Sequence, residues 1–236
     1  MQLRRLIDVP DTRLNSSIPL SLTLPVFVLV VFLLSCSSLP TREDFKGTAF
    51  RDERQAQDFA LTDQFGVSRS LHGDYAGEVV VLTFLYTECP DVCPVMANHL
   101  REIATVLEEE GSEAQIVVVS VDPEGDTVDS VLEYSNRWKM TDRWTYLVGE
   151  EAELKEVWRA YYIDPYVHGP GRAVETPVAQ SADRPSGGVS ALVEQSGRVI
   201  HSAPIYIIDG EALMRSAFTL PFEWQDVIHD VKLVGG

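Results

Sequence analysis

Two apolar runs dominate the interior of the chain: Val79–Tyr86 (VVVLTFLY) and Ile116–Val121 (IVVVSV). Rich in β-branched residues and barely interrupted by polar ones, they predict strands buried on both faces. After Pro94, the residues Met96, Leu100, Ile103 and Leu107 recur at helical spacing, with Gly111 as a stop. Thr127–Trp138 reads as a second helix, Thr145–Val148 as a short strand, and Leu154, Val157, Trp158 and Tyr161 mark a third helix. Upstream, FALTDQFG (Phe59–Gly66) alternates into a glycine turn, as a short hairpin does. Ile205–Ile208, the turn Asp209-Gly210, and Ala212–Phe218 predict a β-hairpin. Pro221 opens a last helix whose apolar face is Trp224, Val227, Ile228 and Val231. Asp164–Gly188 holds four prolines and four glycines without periodicity and reads as a long loop. The alternation predicts an α/β domain, a central β-sheet flanked by helices.

The N-terminus follows a different pattern. Arg4, Arg5 and Arg13 precede an apolar stretch, Ile18–Leu34, whose unbroken part is Val26–Leu34. Nine residues suit the core of a signal peptide and are too few to span a bilayer alone. The sequence L-L-S-C then ends at Cys36, which resembles a bacterial lipoprotein box. Residues 1–35 are therefore expected to be a signal peptide, with Cys36 lipidated. The competing reading is an uncleaved helix over Ile18–Leu34, weakened by Pro19 and Pro25. Both readings tie the chain to a membrane and place the rest outside the cytoplasm, in the bacterial cell envelope facing the periplasm or the exterior. Residues 36–58 are polar and aperiodic and read as a flexible tether, and 59–236 as the folded domain.

Charge narrows the partners. Lys and Arg number 19 against 36 Asp and Glu, a formal charge of −17 over 236 residues. A surface that acidic repels phosphate backbones and argues against nucleic-acid binding. A cationic protein or a metal ion would suit it.

The chain has three cysteines, too few for a disulfide framework. Cys89 and Cys93 form C-P-D-V-C where the first buried strand meets its helix, the strand end at which α/β sheets gather their sites. Three intervening residues put the thiols about one helical turn apart, so both can address one atom. A helix N-terminus also lowers a thiol's pKa. A disulfide here would close a five-residue loop and contribute only about 2 kcal/mol, a poor staple. Redox or metal chemistry is the better expectation. Paired thiolates suit Cu(I), with a third ligand needed to complete the site. Of the five histidines (His72, His99, His168, His201 and His229), His168 in the long loop and His201 before the hairpin are the candidates, while His99 is expected to face solvent. The acidic run Asp122, Glu124, Asp126 and Asp129 suggests a cation site; the better reading is a helix start, capped by Asp126 or Thr127 with Asp129 in the first turn.

The order of elements resembles the thioredoxin fold. YTECPDVCP (Tyr86–Pro94), VSVDPEGDT (Val119–Thr127) and HSAPIYIID (His201–Asp209) together resemble the Sco/SenC family over roughly Phe59 to Trp224. These are membrane-tethered, thioredoxin-like copper proteins that help assemble the copper centre of cytochrome c oxidase. The resemblance implies copper, Cu(I) or Cu(II), bound by Cys89, Cys93 and His201, and a copper-receiving oxidase subunit as partner. It implies a metallochaperone. The alternative is a membrane-tethered thiol–disulfide oxidoreductase in which Cys89 and Cys93 act as a catalytic redox dithiol and His201 is dispensable. The thioredoxin likeness implies a cis proline at Pro204, just after His201, although trans is the commoner state of any X-Pro bond. Two features depart from the family. Ile200 stands where an Asp usually precedes the histidine, and Asp164–Gly188 lengthens the chain between Cys93 and His201.

Lipidation at Cys36 makes the first testable statement. Cys36→Ser should leave an unprocessed or mislocalised precursor, read by membrane fractionation. An intact mass showing unmodified Cys36 in the mature membrane-bound protein would refute it.

Overall fold

The computed structural model describes residues 40–163 and 203–235, with the backbone of Tyr166–Val167 and Val199–Ile200. The leader, Cys36, His168 and His201 lie outside the described residues.

The buried run upstream of the cysteines forms β4 (Val80–Leu85), all six residues of which are buried. The second run forms β5 (Gln115–Ser120), parallel to β4 from Val80↔Gln115 to Leu85↔Ser120. Each fully buried aliphatic side chain on these strands contributes about 1.5–3 kcal/mol, which makes this pair the centre of the core. β6 (Thr145–Leu147) continues the parallel set beside β5. Parallel neighbours need crossovers, and two helices supply them: α2 (Val92–Glu109) and α3 (Val128–Trp138). α2 buries Met96, Leu100, Ile103 and Leu107, the periodic residues of the sequence, together with Cys93. It ends where Gly111 takes a φ of +66°, with Ser112 N–H donating to the Leu107 carbonyl at 2.9 Å.

On the other side of β4 the sheet turns antiparallel. β9 (Ile205–Ile208) pairs with β4 from Val80↔Ile208 to Leu82↔Tyr206. The expected hairpin joins it to β10 (Leu213–Phe218). β1 (Thr48–Gln55) completes the sheet, whose order is β1-β10-β9-β4-β5-β6. β2 (Ala60–Thr62) and β3 (Ser68–Ser70) make the small hairpin expected from FALTDQFG. A short α1 (Leu71–Asp74) follows it, α4 (Glu151–Ala160) follows β6, and α5 (Trp224–Gly235) packs against α2. The mixed α/β sheet flanked by helices is thioredoxin-like, as the order of elements led one to expect.

Some expectations need correction. The stretch read as tether contains β1, so sheet structure begins about ten residues before Phe59. β1 is an edge strand with five exposed residues in a row, Glu53 and Arg54 among them, so it shows no apolar alternation to read. Asp230 on α5 anchors its approach: the carboxylate is fully buried and accepts from Lys46 N–H at 2.8 Å, Gly47 N–H at 3.0 Å and the Ser216 hydroxyl at 2.7 Å. The stretch read as a patternless loop, Asp164–Gly188, contains β7 (Tyr166–Val167), which pairs antiparallel with β8 (Val199–Ile200) beyond it. The last helix starts at Trp224 rather than Pro221. The cis X-Pro bond among the described residues is Leu220–Pro221, so Ala203–Pro204 is trans. His99 is half-buried against the Phe222 ring, 5.0 Å between centroids, rather than facing solvent.

Asp230→Ala should lower the unfolding free energy by about 2–3 kcal/mol, because three donors lose a buried acceptor. Urea unfolding measures the loss, and hydrogen exchange should rise across Thr48–Gln55. A change below about 0.5 kcal/mol, the range of an ordinary surface substitution, would show that Asp230 does not hold β1.

Candidate functional site

Strand β4 delivers the chain to the site, and α2 takes it away. Cys89 sits in the turn between them; Cys93 lies in the first turn of the helix. Both are free thiols and both are buried, Cys93 completely and Cys89 to within 8%. Asp91 occupies the N-cap position without a capping side-chain hydrogen bond. The Cys89 sulfur does that work instead, accepting from the Cys93 N–H at 3.4 Å. The one-turn spacing expected of C-P-D-V-C is therefore realised with only the second thiol inside the helix.

This arrangement makes the pair unequal. The Cys89 thiol is held down to about 5, first by the hydrogen bond it accepts from the Cys93 thiol, then by the N–H groups of Asp91 and Cys93, against the opposing effect of burial. Cys93 is pushed up strongly, by donating to the Cys89 sulfur and by its own burial. Near neutral pH the site holds one thiolate and one thiol sharing a proton between them. The charge of the thiol pair is felt by two buried phenols, Tyr134 and Tyr146; Tyr134 stacks on Trp144, and Tyr146 meets both edge-on, with centroids 5.7 to 6.2 Å apart.

The acidic run divides. Thr127 caps α3, its hydroxyl accepting from Ser130 N–H at 3.2 Å, and Asp129 lies in the first turn as expected. Asp122 accepts from Gly125 N–H within the preceding turn. Asp126 turns inward and is 4% exposed. It accepts from Thr87 N–H at 3.0 Å and the Thr87 hydroxyl at 2.6 Å on one oxygen, and from the Ser120 hydroxyl at 2.6 Å on the other. Burial pushes its carboxyl up to about 6, against the hydrogen bonds that favour the charged form. Among the described residues no group of three or more His, Cys, Asp or Glu forms a cation site. Sequence reasoning took Asp126 as a possible cap and missed this clasp. The signal available was a hydroxyl at each strand end, Thr87 and Ser120, on neighbouring strands.

The structure brings Cys89 and Cys93 together. His201 precedes β9 by four residues, and His168 follows β7; both lie outside the described residues, as does Cys36. What the sheet does define is the entry into β9. β9 runs antiparallel to β4, so the chain comes into β9 on the side where β4 leaves for Cys89. Thr83 on β4 donates to the Pro204 carbonyl at 2.9 Å and pins that approach.

The SCO1/SenC family model matches residues 48–234. The chain belongs to the SCO1/SenC family. The match begins at the first residue of β1, in agreement with the sheet. A SCO1 protein homolog of Bacillus subtilis is 23% identical over 209 residues, covering 87% of this chain and 92% of the relative. Arabidopsis thaliana ScoI, solved with copper bound, is 22% identical with a TM-score of 0.59, covering 77% of this chain and 98% of that one. BsSco, described with a disulfide switch as a member of the Sco family of cytochrome c oxidase assembly proteins, is 22% identical with a TM-score of 0.57, covering 80% and 96%. At these identities the structural likeness establishes the fold. Among the described residues no helix is long and apolar enough to cross a membrane.

The unequal thiols predict an uneven reactivity. In the reduced protein iodoacetamide should modify Cys89 first, with a rate that rises as pH increases through about 5 rather than through the ordinary thiol range near 8.5. The sign follows from the lowered Cys89 value: thiolate is present above it and lost as pH falls through it. Peptide mass mapping assigns the site, and a midpoint above about 8, the range of a free thiol, would contradict the proton-sharing geometry.

Proposed function

We propose that this protein is a membrane-anchored metallochaperone that holds copper through Cys89, Cys93 and His201 and delivers it to a copper-receiving subunit of cytochrome c oxidase. The observation that carries the reading is the buried, reduced thiol pair at the strand–helix junction of an SCO1/SenC chain. Two soft sulfur donors, one already disposed to be a thiolate, match a soft monovalent cation that tolerates low coordination. Copper bound in a relative of the same fold supports the choice of metal. Cys36, at the end of the L-L-S-C sequence, supplies the lipid that tethers the domain to the envelope membrane on its outer side.

His201 is the third ligand in this reading. Its support is local: in sequence it precedes by four residues the buried strand β9, and Pro204, at the approach to that strand, is pinned to β4 on the side where β4 leads to Cys89. A ligand from the Gly- and Pro-rich stretch around His168 would subtract its ordering cost, about 1–2 kcal/mol per residue, from the binding energy. Ile200, where the family usually has Asp, leaves the imidazole without an acidic neighbour in the chain to orient it.

One observation favours a second reading, a thiol–disulfide oxidoreductase that reduces partner cysteines. A thiolate at the less deeply buried cysteine, backed by a fully buried thiol, is the arrangement that attacks a disulfide and then resolves the mixed intermediate. That reaction needs both cysteines and does not need His201.

Titration of the reduced protein with Cu(I) against a competing chelator separates these. One equivalent should bind; Cys89→Ser and His201→Ala should each lose most of the affinity, at least a hundredfold, while His168→Ala keeps it. Loss on His168→Ala in place of His201→Ala would move the third arm of the site to the inserted stretch. Parental copper affinity in His201→Ala, with disulfide reduction intact, would favour the oxidoreductase.

A further inference from the structure

The loop that carries Cys89 leaves the sheet at Leu85, the last residue of β4 paired with β5. Val121 N–H still donates to the Leu85 carbonyl at 3.0 Å, and beyond that the backbone ladder ends. Thr87 is nonetheless held at two points, through its N–H and its hydroxyl, both given to one oxygen of Asp126. The other oxygen of Asp126 takes the hydroxyl of Ser120, the last residue of β5. Ser120 is itself fixed, since its carbonyl accepts from the Trp158 indole at 2.9 Å and its hydroxyl accepts from Asp122 N–H at 3.1 Å. The carboxylate thus extends the β4–β5 junction two residues past the end of the ladder. Between the fixed Thr87 and the helical Cys93 only five residues remain, Cys89 among them. Both ends of that segment are clamped, so the placement of the Cys89 sulfur against Cys93 follows from them.

We propose that Asp126 is a positioning residue for the thiol pair: through Thr87 it holds the Cys89 loop where the two sulfurs act as a unit. The inference rests on Cys89 and Cys93 being the reactive centre, and not on copper. Two sulfurs held within reach have a high effective concentration for each other, and freedom in the loop lowers it. The equilibrium between dithiol and disulfide reads that concentration directly, without metal.

The test equilibrates the metal-free protein with reduced and oxidised dithiothreitol. As the Cys89 and Cys93 sulfurs join, two electrons pass to the oxidised reagent, which opens to its dithiol by taking one proton from Cys93 and one from solvent. Asp126→Ala should lower the equilibrium constant for disulfide formation about tenfold, a shift of roughly 30 mV to less negative potential. Asp126→Asn keeps an acceptor for Thr87 and should stay within about threefold of the parent, because position rather than charge is restored. Asp230→Ala removes an equally buried three-bond clasp away from the thiols and should leave the constant unchanged, which separates positioning from general loss of stability. Thr87→Val cuts the side-chain half of the clasp and should move the constant the same way by about threefold. It decides the matter where Asp126→Ala does not fold. An unchanged constant in Asp126→Ala, or in Thr87→Val when that variant stands alone, overturns the proposal. So does an equal loss in Asp126→Asn and Asp126→Ala, which would make the charge the active feature. If the parent fails to bind Cu(I) while this pattern holds, the copper reading falls and the positioning role stands.

Discussion

A strand that ends in a dry interior leaves its last backbone groups to be satisfied by something other than the ladder, and a helix that begins there brings N–H groups with no acceptor of their own. In this protein both demands meet within the eight residues from Tyr86 to Cys93, and sulfur answers part of them. Cys89 accepts from the helix start, so the feature that lowers its pKa is also one that caps α2. Reactivity and fold are coupled at that atom: the thiolate is stabilised because the helix begins there, and the start of the helix is satisfied because the thiolate is present.

The same economy appears at the two buried carboxylates. Asp126 accepts three hydrogen bonds, from Thr87 and Ser120, and Asp230 accepts from Lys46, Gly47 and Ser216, with His229 Nδ1 a further 3.1 Å partner. Burying an ionised group is expensive unless several donors converge on it. Each clasp therefore joins segments that must already lie close together, the ends of β4 and β5 in one case, β1, β10 and α5 in the other. With two oxygens, a carboxylate takes donors from two segments at once.

The parts of the fold that could be read in the sequence are those whose residues answer to one dominant force. β4 and β5 are buried on both faces and read as continuous apolar runs; α2 has one buried face and shows it at Met96, Leu100, Ile103 and Leu107. β1 was hidden because an edge strand is selected for exposed charge, and Arg51, Asp52, Glu53 and Arg54 read as a linker. The two-residue strands β7 and β8 are too short for any periodicity. At the site, the spacing of Cys89 and Cys93 was legible because it is local. The inward turn of Asp126 was not, since an Asp one residue before a capping Thr looks the same whether it faces solvent or Ser120. Its partners, Thr87 and Ser120, are 39 and 6 residues away, and only the parallel register of β4 with β5 brings them together.

The inequality of the thiols has a consequence for cargo. Binding a soft cation through both sulfurs requires the Cys93 proton to leave, and that proton is tightly held. On the copper reading proposed above, capture would be coupled to proton release, and release of the cation to proton return. A pair of fully formed thiolates would bind more tightly and give up the metal less readily, which suits storage. A pair of ordinary thiols would barely capture it. One sulfur prepared by the helix start and one withheld by burial would give intermediate retention, which suits the proposed transfer of copper to another site. The same proton on Cys93 also delays oxidation by the second thiol, because the resolving thiolate forms only once Cys89 has reacted and its charge is gone. Burial of Cys93 therefore acts on both chemistries through one proton.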